Sequence, residues 1–489
     1  MMNEIRLIPG IPRDENREYL PLYLKESAYV VNENGNNSQV YPKNLKEYRE
    51  QIIDDVVDEW YVYVPDSYDA SKKTPLVFSM HGGIMSGWAQ CIYTSWSHVA
   101  DREGFIVVFP SAHLRGFWQI ECEPHLFEML SAPNADGIFM HPFPENLDED
   151  FDVRKVFYLL DRIKSEYHID EERIYMQGMS LGNAMTAMMA RHYGNRFAAM
   201  AGSAGPSTAG LLWGEDGKPV NEAGPVNVWQ TRMQLDQAAP GEVLDVLEAV
   251  KKNRDYWLTI NECETLPKIK LDGENNFAFY TGKKANFVFR DVFNRDHGQT
   301  FDDAEYVWDY MFSGCRRLAD GSLVCTDTND TCEGDDVSFA VGDDFRYAWV
   351  SNEKTELPAK AFMKQKLKYH GLGGDAIVRG EYIMVPAAFL ADVYGESFEE
   401  KDGRAVLTMK DGRRIQIARG CVGCTIDNKV RSMLVEAEER DGMLFISAEW
   451  FCREVMGFWA TTCDRVMYAT DHYSVLSVHM AKILRDICK

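Results

Sequence analysis

Arg173-Ile174-Tyr175-Met176-Gln177-Gly178-Met179-Ser180-Leu181-Gly182 decides how the chain is read. An apolar run ends in Gly-Met-Ser-Leu-Gly, and a run of strong helix formers follows, Asn183-Ala184-Met185-Thr186-Ala187-Met188-Met189-Ala190. A nucleophilic serine needs a sharp strand-to-helix turn to display its hydroxyl, and flanking glycines remove side chains that would clash there. The stretch predicts a strand, a tight turn carrying Ser180 as candidate nucleophile, and a helix; the alternative is a purely structural turn.

Outward from this turn the chain alternates between apolar strands and amphipathic helices. Trp60-Tyr61-Val62-Tyr63-Val64, Pro75-Leu76-Val77-Phe78-Ser79-Met80 and Gly104-Phe105-Ile106-Val107-Val108-Phe109-Pro110 read as strands. Val153 to Tyr167 has helical periodicity, with Val156, Phe157, Leu160 and Ile163 on one face. Such alternation predicts βαβ units, hence an α/β domain with a mostly parallel sheet and helices on both faces.

A nucleophile needs donors for the developing oxyanion. His81-Gly82-Gly83 directly follows the strand ending at Met80, where backbone N–H groups face the carboxyl end of the sheet. The N–H of Gly83, or that of Ile84, pairs with that of Leu181 as the expected hole; a buried, hydrogen-bonded His81 in a glycine turn is the alternative.

The base must be a histidine. Of eleven, His297, His370, His472 and His479 lie well downstream of the turn, and His192 in its helix reads as a surface residue. His297 stands in Phe293-Asn294-Arg295-Asp296-His297-Gly298-Gln299-Thr300, after the strand Asn286-Phe287-Val288-Phe289 and before the helical run Ala304 to Met311. A loop at the end of a strand suits a catalytic histidine, so His297 is the candidate. For the acid, Asp236 follows the strand Pro225-Val226-Asn227-Val228-Trp229, while Asp245 and Asp255 are rivals in a helical stretch.

The 489 residues suggest more than one domain. Hydrophobic residues at 45% and charged residues at 26% exclude a disordered, collagen-like or coiled-coil chain. With 52 basic and 76 acidic residues the formal charge is −24, which disfavours nucleic acid and anionic membrane surfaces as partners. No apolar stretch is long enough to cross a bilayer, and Met1 to Arg6 lacks the pattern of a secretory signal. The expected location is cytoplasmic for the sequence as it stands, or extracellular or cell-envelope if a signal has been removed. Eleven cysteines do not read as a disulfide framework, and Cys421–Cys424, the one CxxC, reads as structural.

Residues 1–54 are expected to form an N-terminal extension with an Asn-rich run at 31–37, and residues 55–317 the α/β domain. Residues 318–489 are expected to form a linker and a smaller α+β domain. The linker Asp320–Asp344 lacks calcium-loop spacing, although it holds Asp327, Asn329, Asp330 and Asp335. Beyond it, Val385-Pro386-Ala387-Ala388-Phe389-Leu390-Ala391 is echoed by Ile446-Ser447-Ala448-Glu449-Trp450-Phe451-Cys452, an internal repeat.

These motifs resemble a family. Trp60 to Asp69 with His81-Gly82-Gly83, and Tyr167-His168-Ile169-Asp170 through Ser180 to Arg196-Phe197-Ala198-Ala199-Met200, are similar to polyhydroxybutyrate depolymerase-like and feruloyl esterase-like α/β-hydrolases. So is the stretch from His297 to Trp308. The likeness covers about residues 55–317 and implies a serine carboxylic ester hydrolase with Ser180, Asp236 and His297 as triad, acting on feruloyl, acetyl or hydroxyalkanoate-type esters without metal or organic cofactor. A peptidase or thioesterase on the same scaffold, and a surface-binding protein with a vestigial hydrolase domain, are the alternatives. The family has His-Gly ahead of its acid, where this chain has Arg232-Met233-Gln234-Leu235-Asp236. The long, aromatic-rich region His113–Asp150 is expected to cover the substrate. Gly380 to Pro386 and Met443 to Ser447 resemble the copper amine oxidase N-terminal-like domain, which implies an accessory module with cell-envelope or polysaccharide contact, not copper chemistry.

Overall fold

The computed structural model describes residues 42–114, 116–134, 137–236, 246–370 and 374–489; the Asn-rich run and Asp245 lie outside them. The chain forms two compact units. One holds the chain up to Thr265 together with Phe279–Cys332, the other Leu266–Ala278 together with Glu333–Lys489.

In the first unit one mixed sheet runs β1 (Leu45–Gln51), β2 (Val57–Tyr63), β4 (Ile106–Pro110), β3 (Thr74–Met80), β5 (Ile169–Met179), β6 (Ala199–Ser203), β7 (Asn227–Met233), then the strand Phe287–Val292. From β4 to Phe287–Val292 all neighbours are parallel; β1 and β2 join antiparallel at the other end. β3, β4, β6 and β7 are buried at every position, because parallel strands with helical crossovers are covered on both faces. The crossover helix Phe151–Glu166 is capped by Asp150, whose carboxyl oxygen accepts from the Val153 N–H, and it buries Val153, Val156, Leu159, Leu160 and Ile163. Phe157, expected on that face, is half-buried against Tyr193 instead.

The strand order explains where a site can form. The chain steps from β3 outward to β4, then crosses back to β5 and continues the other way. Right-handed crossovers therefore send the helices to opposite faces on the two sides. The carboxyl ends of β3 and β5 diverge at this reversal, and a crevice opens there. His81-Gly82-Gly83 leaves β3 and Ser180 leaves β5 at that crevice.

The second unit is built mainly of antiparallel sheets rather than the α+β mix expected. Five strands pair around Ser338–Gly342 and Val466–Thr470, four around Asp375–Pro386 and Met443–Ser447, and five from Gly395–Lys401 to Lys429–Ser432. The stretch read as a linker contributes Ser338–Gly342 to this core. Asp335 is buried there, accepting hydrogen bonds from the Tyr468 hydroxyl and the Leu271 N–H, so its carboxylate serves packing. The two repeat copies are a strand followed at once by a helix, Asp375–Pro386 with Ala387–Tyr394 and Met443–Ser447 with Ala448–Trp450. Their equivalent residues Val385 and Ile446 face each other across an antiparallel pair.

Candidate active site

Ser180 sits at φ 56°, ψ −118°, a region that costs a non-glycine residue on the order of 1–3 kcal/mol and is held only where the surroundings enforce it. The enforcing contacts are close. A Cβ on Gly178 would meet the carbonyl of Gly182, and a Cβ on Gly182 would meet the carbonyl of Met80, so both positions exclude any other residue. The Ser180 N–H donates to Ser203 O at 2.9 Å, which fastens the turn to β6.

His297 Nε2 lies 2.8 Å from Ser180 Oγ, and its Nδ1 lies 3.0 Å from Asp236 Oδ1. Asp236 is 6% exposed, and its second oxygen accepts from the Gly205 N–H at 3.0 Å. With Nδ1–H donating to the carboxylate, Nε2 is left to accept the serine proton. Gly205 did not stand out in the sequence. It occupies φ 68° beside Ala204 at φ 59°, and Asn183 Nδ2 braces this turn through the carbonyls of Ala204 and Gly205.

The candidate oxyanion loop, His81-Gly82-Gly83, comes within reach of the same serine. An added Cβ on Gly82 would lie 3.5 Å from Ser180 Cβ, and one on Gly83 would lie 2.9 Å from Leu181 Cδ1. Ile84 takes φ 61° and donates its N–H to Gly116 O at 2.6 Å, so of the two candidates Gly83 is the one whose N–H is not committed to that bond. Leu181 opens its helix, where the first N–H groups have no intrahelical acceptor.

His81 is fully buried and structural. Its Nδ1–H donates to Gly82 O at 2.6 Å, Nε2 accepts from the Ala112 N–H at 2.9 Å, and burial lowers its pKa to about 4. Trp118 Nε1 donates to His81 O at 2.8 Å, and an added Gly83 Cβ would lie 3.1 Å from the Phe117 ring. The stretch expected to cover substrate thus begins by bracing the His81-Gly82-Gly83 loop, with His113 and Trp118 buried and only His125 exposed among its histidines and tryptophan.

The rival residues lie elsewhere. Asp255 pairs with Lys251 on its own helix at 3.1 Å. His192 pairs with Glu121 and Glu222 at 3.0 and 3.1 Å and is less exposed than a surface reading implies. His370, His472 and His479 belong to the second unit; His472 is tied to Asp471 and to the Leu271 carbonyl, and His479 is buried. Arg232, standing ahead of the acid where the resembled family has His-Gly, is fully buried. Burial brings its pKa down to about 10, against the pull of the Asp236 and Asp291 carboxylates. Cys315 and Cys325 form a disulfide across two short paired strands, a bridge not foreseen from the odd cysteine count. Cys421 and Cys424 are both free, one exposed and one buried.

No family model matches the chain. Over 256 residues it is 23% identical to the bifunctional acetylxylan esterase/xylanase XynS20E of Neocallimastix patriciarum, covering 51% of this chain and 32% of that protein. Over 113 residues it is 35% identical to dipeptidyl-peptidase 5 of Aspergillus fumigatus, covering 22% of this chain and 15% of that protein. The chain thus spans a third or less of the length of these curated relatives. Among solved structures, an acetyl xylan esterase from Aspergillus awamori superposes with a TM-score of 0.39 at 16% identity, covering 55% of this chain and 98% of that one.

Proposed function

We propose that the chain is a serine carboxylic ester hydrolase of the α/β-hydrolase type, acting through an acyl-enzyme. The observation that carries this reading is the run of hydrogen bonds from Ser180 Oγ through His297 to Asp236 and on to Gly205, set at the crevice where the sheet order reverses. Ser180 attacks the ester carbonyl while His297 Nε2 takes its proton. The tetrahedral oxyanion is held by the Gly83 and Leu181 N–H groups. His297 then returns the proton to the departing alcohol, and water repeats the sequence on the acyl-enzyme. Asp236 keeps the imidazole in the tautomer that presents Nε2 and stabilises the imidazolium.

The substrate class is an ester of the acetyl, feruloyl or hydroxyalkanoate type, in line with similarity to an acetylxylan esterase. Ser180→Ala should lower kcat on p-nitrophenyl acetate by about 10⁶-fold in a folded sample, the scale on which loss of a triad serine acts. Undiminished turnover in that variant removes the reading. A panel of acetyl, feruloyl and hydroxybutyrate esters then assigns the acyl group.

A peptidase is the second reading, favoured by the 113-residue stretch that is 35% identical to a dipeptidyl-peptidase. Matched ester, thioester and amide substrates decide it, because a triad sets acyl transfer and leaves the leaving group open. The second unit fits an attachment module for envelope or polysaccharide, and the Cys315–Cys325 bridge fits an oxidising compartment. Retention of the full chain on insoluble polysaccharide, lost on deleting residues 333–489, tests that role.

A further inference from the structure

Four polar side chains with no solvent exposure bond to one another beneath the candidate site: Ser79, Gln90, Gln177 and Gln299. Three of them lie close in sequence to a piece of the machinery. Gln177 precedes Ser180 on β5, Gln299 follows His297 in its loop, and Ser79 precedes the oxyanion turn on β3. Gln177 Nε2 donates to Gln299 Oε1 at 2.8 Å. Gln177 Oε1 accepts from Ser79 Oγ and from Trp96 Nε1, both at 2.9 Å, and Ser79 Oγ accepts from Gln90 Nε2 at 3.2 Å. Ser203, whose carbonyl holds the Ser180 N–H, reaches Gln299 Oε1 through its hydroxyl at 3.5 Å.

These partners fix the orientation of Gln177, since its oxygen has two donors and its nitrogen one acceptor. The set is not arranged for stability. Gln299 Nε2 and Gln90 Oε1 have no partner among the described residues, and a buried polar group without a partner costs folding free energy that an apolar side chain of the same volume would not. What the polar set supplies is direction, because a hydrogen bond sets distance and angle where apolar contact sets neither.

The loop after Phe287–Val292 needs such direction. It leaves the sheet through Asn294 at φ 55° and exposes His297, and its far end is pinned where Arg290 and Thr231 donate to Asp303 at 2.7 and 2.6 Å. Between those ends, Gln299 gives the loop a side-chain anchor on the nucleophile's own strand.

We propose that Gln177 and Gln299 are positioning residues for the reaction, their amide-to-amide hydrogen bond holding His297 at bonding distance from Ser180. The inference rests on the ester hydrolase reading. Its test uses the full chain, steady-state kinetics on p-nitrophenyl acetate and thermal melting, with Gln177→Leu, Gln299→Leu and the double variant. Each single change should lower kcat by about 10²-fold, the effect of a misplacement of about 1 Å at a reacting group, with KM and melting temperature unchanged or the latter raised. The double variant should lose no more than the worse single, because both act through one bond. Gln299→Asn, a methylene short of Gln177, keeps the site polar and should still lose kcat; it decides the matter if the leucine variants do not fold. Wild-type kcat in the folded glutamine variants overturns the positioning role alone. Absence of Ser180-dependent turnover in the wild-type chain overturns the hydrolase reading and this inference together.

Discussion

Two sheets, the mixed sheet of the first unit and the five-stranded sheet from Gly395–Lys401 to Lys429–Ser432 in the second, are buried in different ways. In the first, β3, β4, β6 and β7 have no exposed position, whereas in the second Arg404–Met409 and Arg414–Ala418 bury every second residue and leave the others open or half-open. A strand covered on one face offers a polar side chain a solvated place at alternate positions. A strand covered on both faces offers none, so each polar residue there bears a desolvation penalty and must find a partner. Ser79, Thr231, Arg232 and Arg290 stand in such strands, and Gln177 in the buried second half of β5. Polarity in the fully covered strands of the first unit is therefore evidence of a task, while in Arg404–Met409 and Arg414–Ala418 it marks a solvent face.

The largest test of that contrast is Asp236→Asn, at the mouth of the doubly covered sheet. The amide can hold the wrong imidazole tautomer and cannot stabilise the imidazolium, so kcat should fall by about 10⁴-fold while the melting curve stays put. Asp255→Asn, which weakens pairs with Lys251 and Arg254 on its own helix, should leave kcat unchanged. Were Asp255→Asn the inactive variant in a side-by-side kinetic assay, burial would have misled the choice of acid.

A core change in the second unit sharpens the comparison from the other side. Leu407 is fully buried in Arg404–Met409, opposite Phe398 and Ile415. Leu407→Ala should destabilise the second unit by about 2–5 kcal/mol through lost transfer energy and a residual cavity. In calorimetry the transition assigned to that unit should move down, while kcat/KM at 25 °C on p-nitrophenyl acetate is unchanged. A matching fall in activity would mean that the second sheet carries part of the chemistry.

The contrast also explains what could be read in advance. The parallel strands were legible because apolar runs such as Leu76-Val77-Phe78 and Ile106-Val107-Val108-Phe109 have few other uses. Ser180 was legible because two glycines are needed around it for contacts that any Cβ would break. His297 and Asp236 followed from their places after strands. Gly205 was not legible, because its contribution is a backbone N–H, which every residue but proline has. Gln177 and Gln299 were equally silent, since a glutamine in a sequence does not show whether its amide meets water or another amide. The sheets of the second unit were not legible, because its short alternating strands carry a weak pattern. Cys315 and Cys325 face each other only once two short strands pair, which cysteine counting does not reveal.

The pH dependence of stability tests Asp150, a buried carboxyl of the first unit that no step of the proposed reaction uses. One oxygen caps the helix Phe151–Glu166 through the Val153 N–H, and the other has no partner among the described residues. Burial first, and the Asp152 carboxylate second, push its pKa up to about 8. An unfolded aspartate titrates near 4, so the folded state holds a proton that the unfolded state releases. The stability this group contributes is thus fully present below pH of about 4, and it drains away as pH rises toward 8. An asparagine side chain cannot ionise and caps a helix about as well as aspartate does. Asp150→Asn should therefore match the wild type in melting temperature near pH 4, gain on it progressively up to pH 8, and hold a constant advantage above that. Melting curves taken at intervals over this range check the sign. A variant that instead loses ground as pH rises would mean that the ionised carboxylate is stabilising, and that the buried polar groups of this unit are better satisfied than their contacts indicate.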